Sequence, residues 1–188
     1  MTSIARWVSI VFHPFVMVAA MVGAAAAARQ SQAAAVRSVA VVVLFTIIPL
    51  AFLMWRQVRG GKWDNADASN RTERPILYLV GGVSLFALLG FLSLQSTQSF
   101  MMRGVVATLG MMAVCAIATQ WIKVSLHMAF ATFAATALAL VRSPVGYALV
   151  LALPPLVWAR LTLQRHTLVE VALGTIIGAA AGMALHYL

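Results

Sequence analysis

The sequence predicts an all-α fold, a polytopic transmembrane bundle of about six to seven spans in a single domain over residues 1–188, and three observations predict it. Hydrophobic residues make up 63% of the chain and charged residues 9%, against roughly 25% charged in an average soluble domain; mean hydropathy is +0.96. The apolar residues fall in stretches close to the ~20 that a helix needs to cross ~30 Å of hydrocarbon with every backbone group bonded internally. The polar residues gather in the intervals between them. Too little polar surface is left to cover a water-soluble globule.

The first stretch runs from Val8 to Ala28. With Arg6 ahead of it and alanines at its end it has the layout of a secretory leader, and we read it as a retained first helix. Ala33 to Trp55 and Pro75 to Leu94 follow, the latter opening on a proline that suits a first helical turn. Gly104 to Ile122 is the fourth and holds Cys115, the single cysteine, which excludes an intrachain disulfide and reads as packing. His127 to Val141 and Val145 to Trp158 are short for spans, and Pro144, Pro154 and Pro155 mark a turn and a kink. A re-entrant hairpin there would leave the sidedness unchanged. Leu168 to Leu188 is the seventh. It carries Gly174, Gly178 and Gly182 at four-residue spacing, a small-residue stripe that lets a helix approach closely, within the chain or in a homodimer.

Counting crossings puts the N-terminus, the Arg56 to Arg74 loop, the Lys123 to Ser125 turn and the Arg160 to Arg165 turn on one side. That side holds Arg6, Arg56, Arg59, Lys62, Arg71, Arg74, Lys123, Arg160 and Arg165, with all four acids: Asp64, Asp67, Glu73 and Glu170. Arg29, Arg37, Arg103 and Arg142 lie on the other. The positive-inside rule would make the charged side cytoplasmic. Several of its cations belong to a candidate site, however, and without Lys62, Arg71, Arg74, Lys123 and Arg160 the two sides are level, so charge does not fix the orientation. The net charge of +9 comes without a basic run interleaved with aromatics, which argues against nucleic acid. Anionic lipid or phosphate is the expected counterpart.

Three clusters interrupt the apolar pattern, and ionisable groups at membrane depth usually mark a functional interior. The first is the polar loop from Lys62 to Arg74-Pro75, which as a solvated connector needs no function. The second is Lys123-Val-Ser125-Leu-His127 at a helix start, where backbone N–H groups and a hydroxyl make an anion site; a plain N-cap explains Ser125 equally well. The third runs from Arg160 through His166 to Glu170. Four residues apart on a helix, the last two share a face on which the acid can orient the imidazole, while Thr167 and Glu170 also fit a capping box. At one membrane face the three clusters supply cations to bind an oxyanion, an imidazole to attack it and another to protonate the leaving group.

Lys62 with Arg74-Pro75, then Ser125-Leu126-His127, then Arg160, His166 and Glu170 resemble the three motifs of the type 2 phosphatidic acid phosphatase (PAP2) superfamily of membrane lipid phosphatases. The resemblance spans roughly Lys62 to Gly178, and Phe12-His13-Pro14 looks like a first-helix feature of some bacterial relatives. Leu126 stands in place of the usual Gly, Glu170 in place of the usual Asp, no proline precedes Ser125, and Lys62 lies farther from Arg74 than usual; these departures mark a divergent subgroup. The resemblance implies hydrolysis of a lipid or polyprenyl phosphate monoester or diphosphate in a bacterial inner membrane, with no metal or other cofactor. It further implies that His166 is the nucleophile that forms a phosphohistidine, that Glu170 orients it, and that His127 is the general acid. Lys62, Arg74, Ser125 and Arg160 would bind the phosphate. Two other readings compete. Asp64, Asp67, Asn70 and Glu73 faintly resemble the first magnesium-binding motif of UbiA-type prenyltransferases, whose second motif this sequence lacks. A non-catalytic lipid-phosphate binding or transport protein would keep the pocket without turnover.

Overall fold

Proline, glycine and small polar residues cut the apolar chain into helices. The structure is a computed structural model describing residues 1–65, 67, 68, 70–95 and 99–188, with Ser99 described by its backbone alone. Helix α1 (Thr2–Val11) and helix α2 (Pro14–Ala27) meet at a 42° bend. The single helix expected from Val8 to Ala28 is thus broken. Pro14 disfavours helical geometry in the residue before it, and His13 is extended (φ −61°, ψ 141°), its Nδ1 accepting from the Phe15 N–H at 3.3 Å.

Ser31 caps α3 (Gln32–Val42), which passes through a π turn (Val43–Ile47) into α4 (Ile48–Arg59). Pro49 has no N–H to give to the turn before it, which accounts for the local widening. Gly61, at φ 67°, turns the chain out of α4 at little cost. After the polar loop a 3-10 turn (Arg71–Glu73) leads into α5 (Arg74–Ser93), followed by α6 (Ser99–Ala118), α7 (Leu126–Leu140), α8 (Pro144–Thr162) and α9 (Leu168–Tyr187).

Among the described residues, five helical stretches are long and apolar enough to span a membrane, or six if α1 and α2 count as one broken span. The chain is therefore an all-helical protein suited to the bilayer, with no strand among the described residues. Helix α7, with 15 residues, is short for a span, as expected, whereas the stretch expected to end at Trp158 continues through Pro154 and Pro155 to Thr162. Neighbouring helices let membrane helices tolerate such prolines. Arg160 consequently sits on the last turn of α8 and not in a connecting loop.

Helix α7 is the core of the bundle: from His127 to Ala135 every residue is buried. It packs between α8 and α9 and against α2. The glycine stripe of α9 makes this possible. A Cβ at Gly174 would lie 2.5 Å from the Ser125 carbonyl oxygen and one at Gly182 2.7 Å from Thr136 Cβ, while one at Gly178 would collide with the Ala129 carbonyl oxygen. The stripe thus packs against α7 within the chain. On the outside, Leu79, Val83, Phe86, Leu151 and Ile176 are exposed, as lipid-facing residues are.

Candidate functional site

The helix junctions at the charged end are tied to one another by the side chains that the sequence singles out. Thr167 caps α9: its Oγ1 accepts from the Glu170 N–H at 3.3 Å, and Glu170 Oε2 accepts from the Thr167 N–H at 3.2 Å. The same Oε2 lies 2.8 Å from His166 Nδ1 and 3.9 Å from Lys123 Nζ. Capping and histidine orientation are therefore not rivals, because an ionised carboxylate has lone pairs for both. A His166 Nδ1–H donating to the carboxylate leaves the lone pair on Nε2. Burial, then the charges of Arg160, Arg74 and Lys123, push the His166 pKa down from 6.5 to about 2. The ring is held neutral.

Ser125 precedes α7 and its backbone N–H donates to the Glu170 carbonyl at 3.1 Å, which fastens the start of α7 to α9. Lys123 Nζ donates to the Arg165 carbonyl at 2.8 Å. Burial lowers the Lys123 pKa, with Arg74 and Arg160 adding to it against the opposing pull of Glu170. Arg74, 1% exposed, donates through Nη1 to the Val124 carbonyl and through Nε to that of Ala68 at 3.3 Å. Its guanidinium thus holds two loops beside the site.

Arg160, also 1% exposed, donates from Nη1 to Ser9 Oγ at 3.1 Å and to Asp67 Oδ2 at 3.0 Å. Burial alone would raise the Asp67 pKa, but the charges of His127 and Arg160 outweigh it and hold the carboxyl at about 2. The ring of His13 meets that of His127 edge-on at 5.2 Å. Three buried polar atoms of the expected site, Ser125 Oγ, His127 Nε2 and Arg160 Nε, have no hydrogen-bond partner.

Of the expected residues, His127, His166, Glu170, Arg74, Ser125 and Arg160 lie in this one neighbourhood, coupled electrostatically or by direct bonds. Lys62 does not join them and is exposed in the turn after α4. Ser9 and the ring contact of His13 were not expected, and Asp67, expected only in the magnesium-motif reading, is instead the partner of Arg160. A signal for Asp67 exists in the composition: buried guanidiniums need counter-charges, and the chain has four acids to offer.

The donor atoms of His13, Asp67 and His127 lie within 4.8 Å of one another, so among the described residues this trio could hold a metal ion. Asp67, however, is already neutralised by Arg160 at 3.0 Å, and a guanidinium so close repels a second cation. The arrangement gathers two buried guanidiniums, a half-buried lysine and a helix start beside a neutral imidazole backed by a carboxylate. Compared with protein-family models, with curated proteins and with solved structures, the chain matches none.

Proposed function

We propose that the protein is a membrane phosphatase that hydrolyses a lipid phosphate through a phosphohistidine, in the manner of the type 2 phosphatidic acid phosphatases and in a bacterial-type inner membrane. The observation that carries this reading is the group of buried, unpartnered polar atoms on Ser125, His127 and Arg160 next to His166, whose Nδ1 is engaged by Glu170. Buried polar groups are ordinarily paired, and these three are a hydroxyl, an imidazole and a guanidinium, the types that receive phosphate oxygens.

In the first step His166 Nε2 attacks phosphorus and the P–O bond to the lipid alcohol breaks. His127 gives its proton to the departing oxygen. The positive charge left on His166 is stabilised by Glu170. In the second step water attacks phosphorus, His127 takes its proton, and the P–N bond returns its electron pair to His166. Arg160 and Ser125 hold the phosphate oxygens, while Arg74 fixes the loops that carry Val124 and Ala68.

The test is phosphate release by purified protein, with a chelator present, from phosphatidate, phosphatidylglycerophosphate, a polyprenyl phosphate and an aryl phosphate, together with acid-quench trapping of labelled phosphoenzyme. Release and an acid-labile phosphoenzyme lost in His166→Ala are expected. Binding without release would assign a carrier, and activity only with magnesium would favour a prenyltransferase.

A further inference from the structure

A partly open cavity of about 430 Å³ is lined by α2, the Gln32–Arg59 helix, α5, α6, α7 and α9. We infer that it holds the hydrocarbon chain of the phosphate-bearing lipid, so that the chain lies inside the protein and not in the surrounding bilayer. The identity of the headgroup rests on the phosphatase reading; the location of the chain does not.

The size falls within the ~300–1,000 Å³ of ligand sites. One end of the cavity is polar and belongs to the site already described, since His13, Asp67 and His127 line it. The other end reaches Arg29, Val141 and His186. Along α7 the lining runs from His127 to Val141, about 21 Å at the helical rise. That exceeds half of the ~30 Å hydrocarbon core, so a chain lying there passes the midplane.

The wall between the ends is apolar. Helix α6 turns Met101, Gly104, Val105, Thr108 and Met112 to the cavity, one face at helical spacing, and exposes Val106, Val114 and Ile117 outward. The hydroxyls of Thr46 and Thr108 are already spent on the carbonyls of Val42 and Gly104, at 2.6 and 2.7 Å. Thr46 stands on the π turn, a feature frequent at functional sites. Met21, Met54, Met101 and Met112 give the wall adaptable side chains. Water needs two to four polar partners per molecule, and a polar solute needs still more, so this wall suits neither. A hydrocarbon chain leading away from a phosphate at His127 suits both the wall and the polar end.

The first arm of the test is photolabelling, in nanodiscs, with a hexadecyl phosphate carrying a diazirine at the far end of its chain, on wild type and His166→Ala. Adducts near Arg29, Leu138, Val141 or His186 are expected in both, because labelling needs no turnover. Adducts confined to outward residues such as Val106, Val114 and Ile117 would overturn the inference. The second arm is Gly104→Phe. A Cβ at Gly104 meets nothing within 4 Å, so the ring enters the cavity without moving backbone. Far-end labelling should fall about tenfold, as loss of roughly two methylenes of burial would give. With alkyl phosphates of increasing length, kcat/KM should stop rising at a shorter chain than in wild type, while the shortest substrates are unaffected. An identical chain-length profile in the two proteins would refute the inference. Far-end labelling without any phosphate release would sink the phosphatase reading and leave the chain site standing.

Discussion

Glu170→Gln and Thr167→Ala separate the charge of the acid from the cap of α9, since the first removes the charge and keeps the cap while the second weakens the cap and keeps the charge. Glutamine preserves the volume and an oxygen for the Thr167 N–H, so the cap survives. What is lost is the charge facing His166 Nδ1 at 2.8 Å. A hydrogen bond to a charged group is worth about 1.5–3 kcal/mol against about 0.5–1.5 for a neutral one, and a unit charge at ~4 Å is worth at most about 4 kcal/mol near a protein surface. The transition state, in which His166 becomes cationic, should therefore be destabilised by about 1–4 kcal/mol, a fall in kcat of roughly fivefold to a thousandfold. Thr167→Ala instead loses a capping hydroxyl, worth about 1 kcal/mol, or about 2–4 °C in a domain of this size. Its kcat should stay within about twofold of wild type. Steady-state turnover of an aryl phosphate and a thermal melt in detergent measure both. Full turnover in Glu170→Gln, with a tenfold or greater loss in Thr167→Ala, would show that the acid only caps its helix.

Lys62→Ala should change kcat/KM by less than about threefold, because an exposed cation is well screened, whereas Arg74→Ala should both inactivate and lower the melting point, since it unties the Val124 and Ala68 loops; equal effects in a phosphate-release assay would contradict this. His127→Ala should cost about 10² to 10⁴ in rate with a lipid alcohol leaving group and much less with an aryl phosphate, whose phenolate leaves without help; equal losses would remove the proton-donor role. Folding holds the His166 pKa below 6.5, so the unfolded chain protonates first as pH falls: no stability is lost above pH 6.5, and up to about 1.4 kcal/mol per pH unit is lost below it. His166→Ala should lessen that acid-side slope of stability, and an unchanged slope in melts from pH 7 to 5 would argue against a neutral buried ring. Gly178→Ala should destabilise by about 1–3 kcal/mol as its Cβ meets the Ala129 carbonyl, while Gly110→Ala, with nothing within 4 Å, should be neutral or slightly stabilising; a melt showing the reverse would overturn the packing account.

Hydropathy made the helices legible because backbone satisfaction in lipid leaves few alternatives, and every apolar stretch is helical over most of its length. It failed where chain and bilayer disagree. Pro14 acts on the conformation of His13 and broke the first stretch, an effect that an average over apolar residues smooths away. Pro154 and Pro155 looked like an ending, yet α8 passes through them because its neighbours support it. Helix α7 reads as a short span, but its all-round burial is a property of its neighbours, above all the α9 glycines. For the site, the residues with fixed spacing, Ser125 with His127 and Arg160 with His166 and Glu170, could be read locally. Lys62 could not be placed, since a loop position says nothing of which way the chain turns. Asp67 pairs with Arg160 across 93 positions of sequence, and spacing carries no trace of that.

The burial of α7 bears on when the site can exist. A helix of 15 residues is about 22 Å long, less than the ~30 Å it would have to cross alone, so it is held at depth by α2, α8 and α9 and not by lipid. Ser125 and His127 ride on that helix, and the Ser125 N–H is anchored to Glu170 in the last helix of the chain. His127 and His166 therefore come into register only when the C-terminal helix has docked, and a partly inserted chain carries both imidazoles without the geometry that relates them.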